Sequence, residues 1–399
     1  MDVANVSALL RPGRVGTVEV RNRFIRSATA ESLADEDGFV TEGFRELHSN
    51  LARHGVGLIF TGHCYVHRRG QFTRFMTGLD RDDHVGPLQR VTDAVHREGG
   101  RIFAQLNHAG YQCRLPEIEP LAPSLMQNPY TGKAAKPATE EEIHEVINAF
   151  GNAARRAKAA GFDGVHLHAG HGYLISQFLS PYSNRREDDW GGSLENRRRF
   201  LLQAVLAIRK ATSDDFPLTV KMGVRDYSPG GMTLEEGLDT AAILEGAGVD
   251  AIEASAGLTA QGAPSAWKYA GVSRKRALQD KLFHRIFVRP RPEGYFLEEA
   301  RKVRASVKGC VIAVGGIRTV ETMESLIAEG VADFVSLARP FIREPDLVRK
   351  IERGKRGVVD CTSCNICVRY QGVSPLKCWR TSNSDLLRHA WDRLTRRLH

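Results

Sequence analysis

Two imidazoles and a phenol stand within six residues of one another at His168, His171 and Tyr173, in the run Asp163-Gly-Val-His-Leu-His168-Ala-Gly-His171-Gly-Tyr173. Val165 and Leu167 alternate with His166 and His168, the period of a half-buried strand, and the glycines that follow break it into a loop. Neutral imidazoles donate hydrogen bonds to a carbonyl or nitro oxygen, and a phenol can supply a proton. The same stretch allows a zinc reading, with His166, His168 and His171 as ligands, but no supporting acid is apparent nearby in the sequence.

Other residues could serve such a site. Gln105, at the end of an apolar run, offers an amide donor and acceptor suited to a heterocycle edge. Lys221 ends another run and could stabilise an anionic ring; read instead as a Schiff-base lysine, it would make the protein an aldolase-like lyase. Gly315-Gly316 and Ala338-Arg339 each close a later run, where backbone amides and an arginine could cradle a phosphate.

The elements that must position these residues follow from a recurring phrase. Gly55-Val-Gly-Leu-Ile-Phe, Gly161-Phe-Asp-Gly-Val-His-Leu, Gly248-Val-Asp-Ala-Ile-Glu and Gly330-Val-Ala-Asp-Phe-Val-Ser-Leu each join a helical pattern, ended by glycine, to a short apolar strand. Strands at Arg23–Ala28, Arg101–Leu106, Pro217–Met222 and Cys310–Val314 bring the number to eight. Helices are predicted at Glu42–Arg53, Val85–Glu98, Glu140–Ala160, Leu194–Ala211, Leu234–Glu245, Tyr295–Val307, Val320–Ala328 and Pro345–Glu352. Eight alternating units predict an α/β fold, a (β/α)8 TIM barrel over residues 1–355 with a short cysteine-containing extension over 356–399. A Rossmann-like sheet is the rival, but no Gly-x-Gly-x-x-Gly follows the first strand. The longer interruptions Tyr111–Thr139 and Leu258–Pro292 follow strands three and six and read as lids over the barrel mouth.

The chain has 399 residues, 42% of them hydrophobic, enough for a full core. Its net charge of +9, from 56 basic against 47 acidic residues, is clustered without a nucleic-acid recognition motif, so a phosphorylated small molecule is the expected partner. The sequence opens with neither a secretory signal nor a membrane span, and a cytoplasmic enzyme of small-molecule substrates is expected.

The segment His168-Ala-Gly-His171-Gly-Tyr173-Leu-Ile-Ser-Gln-Phe-Leu-Ser-Pro-Tyr-Ser-Asn184-Arg-Arg-Glu-Asp-Asp-Trp190-Gly-Gly-Ser-Leu-Glu195-Asn-Arg resembles the signature of the Old Yellow Enzyme family of FMN-dependent oxidoreductases. The resemblance extends over about residues 5–355, through Asn22-Arg23, Ser27-Ala28-Thr29-Ala30, Gln105, His108-Ala-Gly110, Lys221, Gly315-Gly316 and Ala338-Arg339. It implies FMN across the barrel mouth, with the Ser27–Ala30 backbone on the flavin, Gln105 at its pyrimidine edge and Lys221 where charge gathers on reduction. Gly315, Gly316, Ala338 and Arg339 would hold the phosphate, His168 and His171 would bind the substrate oxygen, and Tyr173 would donate the proton. The implied activity is NAD(P)H-dependent reduction of an activated alkene, nitro compound or similar acceptor, with an amine dehydrogenase or demethylase as the alternative. Ala30 stands where relatives commonly carry Cys or Thr, and His63 near a flavin-facing position that is usually small.

Cys361-x2-Cys364-x2-Cys367-x10-Cys378 has the spacing of a metal site, and four thiolates favour an iron–sulfur cluster over zinc. It resembles the cluster-binding region that follows the barrel in trimethylamine dehydrogenase and 2,4-dienoyl-CoA reductase, which implies a [4Fe-4S] centre, with zinc or an unmetallated remnant as the alternatives. Beyond it, Leu387, Trp391, Leu394 and Leu398 share one face of a predicted helix over Asp385–His399, expected to pack on its own barrel or on a sister subunit of a homo-oligomer.

Overall fold

The computed structural model describes residues 7–128, 131–258 and 293–395. Eight parallel strands close into a barrel: β1 (Phe24–Arg26), β2 (Leu58–Tyr65), β3 (Arg101–Asn107), β4 (Gly164–Ala169), β5 (Leu218–Arg225), β6 (Ala251–Ala256), β7 (Cys310–Val314) and β8 (Phe334–Leu337). Each strand pairs with its neighbours in sequence, and β8 returns to β1 through Val335 opposite Phe24. The predicted TIM barrel is therefore the architecture.

The helices around it are α1 (Glu42–Arg53), α2 (Val85–Arg97), α3 (Glu140–Ala159), α4 (Leu194–Thr212), α5 (Leu234–Gly246), α6 (Leu297–Ser306), α7 (Val320–Ala328) and α8 (Leu347–Glu352). Thr139 and Thr233 start α3 and α5 with capping boxes, each threonine accepting from a backbone N–H while a glutamate three residues on accepts from the threonine's own. Such caps contribute about 1 kcal/mol each and fix where the helix begins.

Period-two alternation sorts the strand residues into two layers. Val165 and Leu167 of β4, Val220 and Met222 of β5, and Ile252 and Ala254 of β6 join the large apolar layer beneath the helices. Burying one such Val, Leu or Ile side chain contributes about 1.5–3 kcal/mol, so this layer fixes the strand register. The opposite faces carry His166, His168, Thr219, Lys221, Glu253 and Ser255, all buried. At the N-terminal end, Leu58, Ala251 and Phe334, each the first residue of its strand, pack with Val15 and Val20 of an antiparallel hairpin that closes that mouth. The polar inward residues are left to the other mouth.

The loop read as a first lid folds into a small three-stranded sheet of Leu121–Ala122, Met126–Gln127 and Ala134–Pro137. Leu115 and Ile118 at its base pack with Tyr173. The second expected lid, Leu258–Pro292, falls almost wholly outside the described residues. Among the described residues, no helix is long and apolar enough to cross a membrane.

Of the two packings expected of the tail helix, on its own barrel or on a sister subunit, the first does not occur through Leu387 and Trp391. A helix does form, at Asn383–Leu394, but Leu387 and Trp391 are 71% and 59% exposed. The face turned inward carries His389 and Asp392, whose carboxylate accepts from Tyr370 Oη at 3.0 Å. Tyr370 stacks on Trp379, with ring centroids 3.7 Å apart.

Candidate active site

Beyond the C-terminal ends of the strands lies a solvent-open cleft of about 1270 Å³. The sequence-predicted residues Ser27, Ala28, Thr29, Ala30, Gln105, His168, His171, Tyr173, Lys221, Gly315, Gly316, Ala338 and Arg339 all line it. His63, Ser255, Tyr295 and Phe296 join them.

His171 sits in a left-handed backbone conformation, φ +57°, which costs a residue other than glycine about 1–2 kcal/mol and is kept only where surroundings impose it. They do so here: its N–H donates to Ala256 O at 3.0 Å, and its carbonyl accepts from Gln112 Nε2 at 2.8 Å. Gln177 Nε2 holds the next carbonyl, that of Gly172, at 2.7 Å. Behind the loop, Asn184 Nδ2 donates to Phe178 O and Trp190 O, and Arg197 Nε to Leu179 O, so Asn184–Arg197 is its scaffold. The His171 ring lies 5.1 Å from that of His168, which lies 4.9 Å from Tyr173.

His171 Nε2 is 2.8 Å from Ser255 Oγ. With the serine hydroxyl donating, Nδ1 keeps the proton of the neutral ring. His168 Nδ1 is buried with no partner among the described residues. Burial pulls the pKa of His171 down to about 3, with Lys221 adding to the shift, and burial and His171 hold His168 well below its ordinary value. Both rings are therefore held in the neutral form at neutral pH, each with one N–H to donate.

Glu253 carries the cleft floor, and sequence reasoning assigned it no role. Its carboxylate, fully buried, faces Lys221 Nζ at 3.0 Å, His166 Nε2 at 2.9 Å, Ser27 Oγ at 2.9 Å and Ser336 Oγ at 2.7 Å. Burial pushes its pKa up, but Lys221, His166 and Ser336 outweigh it and leave the carboxyl well below the usual range. Lys221 also donates to Ser27 Oγ at 3.0 Å. His166 spends both ring nitrogens on Thr219 and Glu253 and does not line the cleft, so the three-histidine zinc site does not form. A period-two reading does place Glu253 inward; what it lacks is the partners, which come from four other strands or their ends.

At the opposite end of the cleft, Gly315 and Gly316 have φ +110° and +74°. A β-carbon on either would stand 2.5 Å from the rings of Phe296 or Tyr295, so only glycine leaves the backbone exposed to a ligand there. Arg339 Nη2 donates to Tyr295 Oη at 3.3 Å, and its Nη1 donates to Asn365 Oδ1.

Asn365 belongs to the extension, which forms a wall of the cleft. Ser363, Cys367, Val368, Gln371 and Leu376 line it, and the segment is tied to the loop after β1 by Leu376 N to Glu31 O and Gly372 N to Ser32 Oγ, both at 2.8 Å. On its far side Cys361, Cys364, Cys367 and Cys378 line a second cavity with Arg339, Arg343 and Arg380. Among the described residues, no group of three His, Cys, Asp or Glu side chains is drawn together closely enough to hold a metal ion.

The buried histidines have a consequence for acid stability. An unfolded imidazole protonates near 6.5, whereas His63 and His171 protonate in the folded protein only near 4 and 3. Depressed folded values mean the unfolded state binds more protons in between, so stability is full above pH 6.5 and falls as the pH drops toward 3. His63 alone accounts for a loss of about 3 kcal/mol between pH 6.5 and 4. Urea unfolding at pH 7, 5.5 and 4.5 should show the midpoint falling at each step; a flat profile would contradict it.

The sequence profile of the NADH:flavin oxidoreductase / NADH oxidase family matches residues 8–357. Over 363 residues the chain is 37% identical to an NADH oxidase of Thermoanaerobacter brockii, covering 90% of this chain and 53% of that protein, so it spans about half of that relative's length. It is 33% identical over 385 residues to a 4,4'-dithiodibutanoate disulfide reductase of Rhodococcus erythropolis, covering 92% and 94%. Among solved structures, an old yellow enzyme homologue from Zymomonas mobilis superposes with a TM-score of 0.72 at 26% identity, covering 89% of this chain and 96% of that one. Family profile, relatives and barrel agree: the chain belongs to the NADH:flavin oxidoreductase / NADH oxidase family, the FMN-dependent Old Yellow Enzymes.

Proposed function

We propose that the protein uses NAD(P)H to reduce an electron-poor acceptor bearing a carbonyl, nitro or comparable group, with FMN lying along the cleft. The carrying observation is one cleft with neutral imidazole donors and a phenol on one wall, an amide and a lysine on the floor, and a glycine–arginine cradle at the end. The residues fit FMN on their own chemistry. Gln105 Nε2 is buried in the cleft without a partner among the described residues, as a donor awaiting a heterocycle oxygen would be. Lys221 and Arg339 supply cations for the two charged regions of the cofactor.

Bound FMN would take a hydride from NAD(P)H and pass it to the acceptor. The chain's own part is to bind the acceptor oxygen through His168 and His171, to hold a proton at Tyr173 Oη, and to fix charge at Lys221. A Schiff-base role for Lys221 is disfavoured because its ammonium is ion-paired with Glu253 and bonded to Ser27 rather than offered as a free amine. The spacing of Cys361, Cys364, Cys367 and Cys378 and the three arginines beside them favour an anionic iron–sulfur cluster before zinc, but the four side chains as described are not drawn together as a ligand set.

The test is direct. Purified protein should be yellow and should bleach anaerobically with NADH or NADPH, then recover colour with 2-cyclohexenone, a nitroalkene or 4,4'-dithiodibutanoate. The disulfide is included because the relative of matching length is named for it. Bleaching by methylated amines instead would make the enzyme an amine dehydrogenase, and colourless protein trapped by borohydride with a carbonyl substrate would make it a lyase. Iron and sulfide analysis of anaerobically purified protein decides the cluster.

A further inference from the structure

Strict alternation would turn His63 away from the cleft. Leu58 and Phe60 of β2 face the barrel interior, so a period of two places Gly62 and Cys64 inside and His63 among the helices. The pairing with β3 departs from it. Phe60 lies opposite Phe103 while His63 lies opposite Gln105, three residues of one strand against two of the other. The extra residue is a β-bulge, which re-aims the side chains that follow it. Cys64 joins the outer apolar layer and His63 lines the cleft.

The bulge is held from behind. Gly62 N donates to Glu31 Oε1 at 2.6 Å, and that carboxylate is ion-paired with Arg26 at 2.9 Å, both side chains buried. A β-carbon on Gly62 would fall 1.8 Å from Glu31 Oε2 and 2.6 Å from Thr29 O. A buried ion pair and a glycine thus fix the turn that presents one histidine.

The ring of His63 is only 6% exposed, 5.2 Å from that of Tyr173 and 6.4 Å from that of His168. Asn107 Nδ2 stands 2.8 Å from His63 Nδ1. With that amide donating, the neutral ring carries its proton on Nε2, for which no partner is found among the described residues. Burial, reinforced by Lys221 against Glu31, pulls the ring's pKa down to about 4 and keeps it neutral.

We propose that His63 is a third ligand-binding imidazole, donating from Nε2 to a carbonyl oxygen held beside Gln105 and Tyr173. That oxygen belongs either to the flavin or to the substrate; the inference rests on the flavin reading above. His63→Phe keeps the ring that packs on Phe72 and Tyr173 but removes the N–H, and His63→Gln returns an N–H donor. For each full-length variant, the apoprotein is titrated with FMN by flavin fluorescence and the purified protein with 2-cyclohexenone by calorimetry. His63→Phe should raise at least one dissociation constant about tenfold, and His63→Gln should recover part of it. A rise for FMN assigns the flavin oxygen, and a rise confined to cyclohexenone assigns the substrate oxygen. Both constants within twofold of wild type would overturn the proposal. His63→Ala, which adds no volume, gives the same comparison should the Phe variant not fold. Wild-type protein that takes up no FMN sinks the flavin reading, while the calorimetric arm still decides His63.

Discussion

Replacing His171 with Ala should lower kcat/KM for acceptor reduction about 10²–10³-fold and leave flavin content unchanged. The ring is a fixed, neutral donor whose loop is bonded on both sides, so its hydrogen bond to a developing oxygen charge needs no rearrangement when the reaction occurs. Alanine removes that donor while keeping the left-handed backbone strain, so the effect belongs to the side chain. His171→Asn should fall between wild type and alanine, because asparagine tolerates the left-handed conformation and keeps an N–H. Steady-state kinetics with 2-cyclohexenone and flavin absorbance per polypeptide measure the two quantities. An alanine variant retaining more than a tenth of the activity would remove His171 from the reaction.

Glu253→Ala should cost about 3–5 kcal/mol of stability, since removing one partner of a buried pair leaves the other charge uncompensated. Lys221 would lose its counter-ion, and Ser27, Ser336 and His166, all buried, would each lose an acceptor. Glu253→Gln keeps the shape and part of the hydrogen bonding and should lose less. Urea unfolding of the three proteins at pH 7 gives the comparison. A loss below about 1 kcal/mol in the alanine variant would mean that the floor is held by packing alone.

Most of the barrel was legible because glycine at helix ends and short apolar runs are local signals. Helix α1 occupies Glu42–Arg53 and helix α7 Val320–Ala328, as predicted, and the others differ by a few residues at their ends. The cleft residues that stand at or near the ends of the predicted strands, such as Gln105, His168 and Lys221, were legible as well, whereas the wall from the extension was not. Three other things were not. The hub at Glu253 exists only once the strands are closed into a ring. The bulge at Phe60–His63 shows in the pairing of two strands and not in the composition of either. The inward face of the last helix was not legible because it is set by a specific bond from Tyr370 to Asp392, while hydrophobicity marks Leu387 and Trp391 on the exposed side.

The wall built from residues 363–376 bears on the order of assembly. All eight strands precede it in the sequence, yet it lines the cleft and is bonded to the loop after the first strand and to Arg339. During synthesis, barrel segments emerge before it, so the pocket stands open on that side until the segment leaves the ribosome. The segment from 363 to 376 thus completes a cleft whose other walls are all set by earlier parts of the chain.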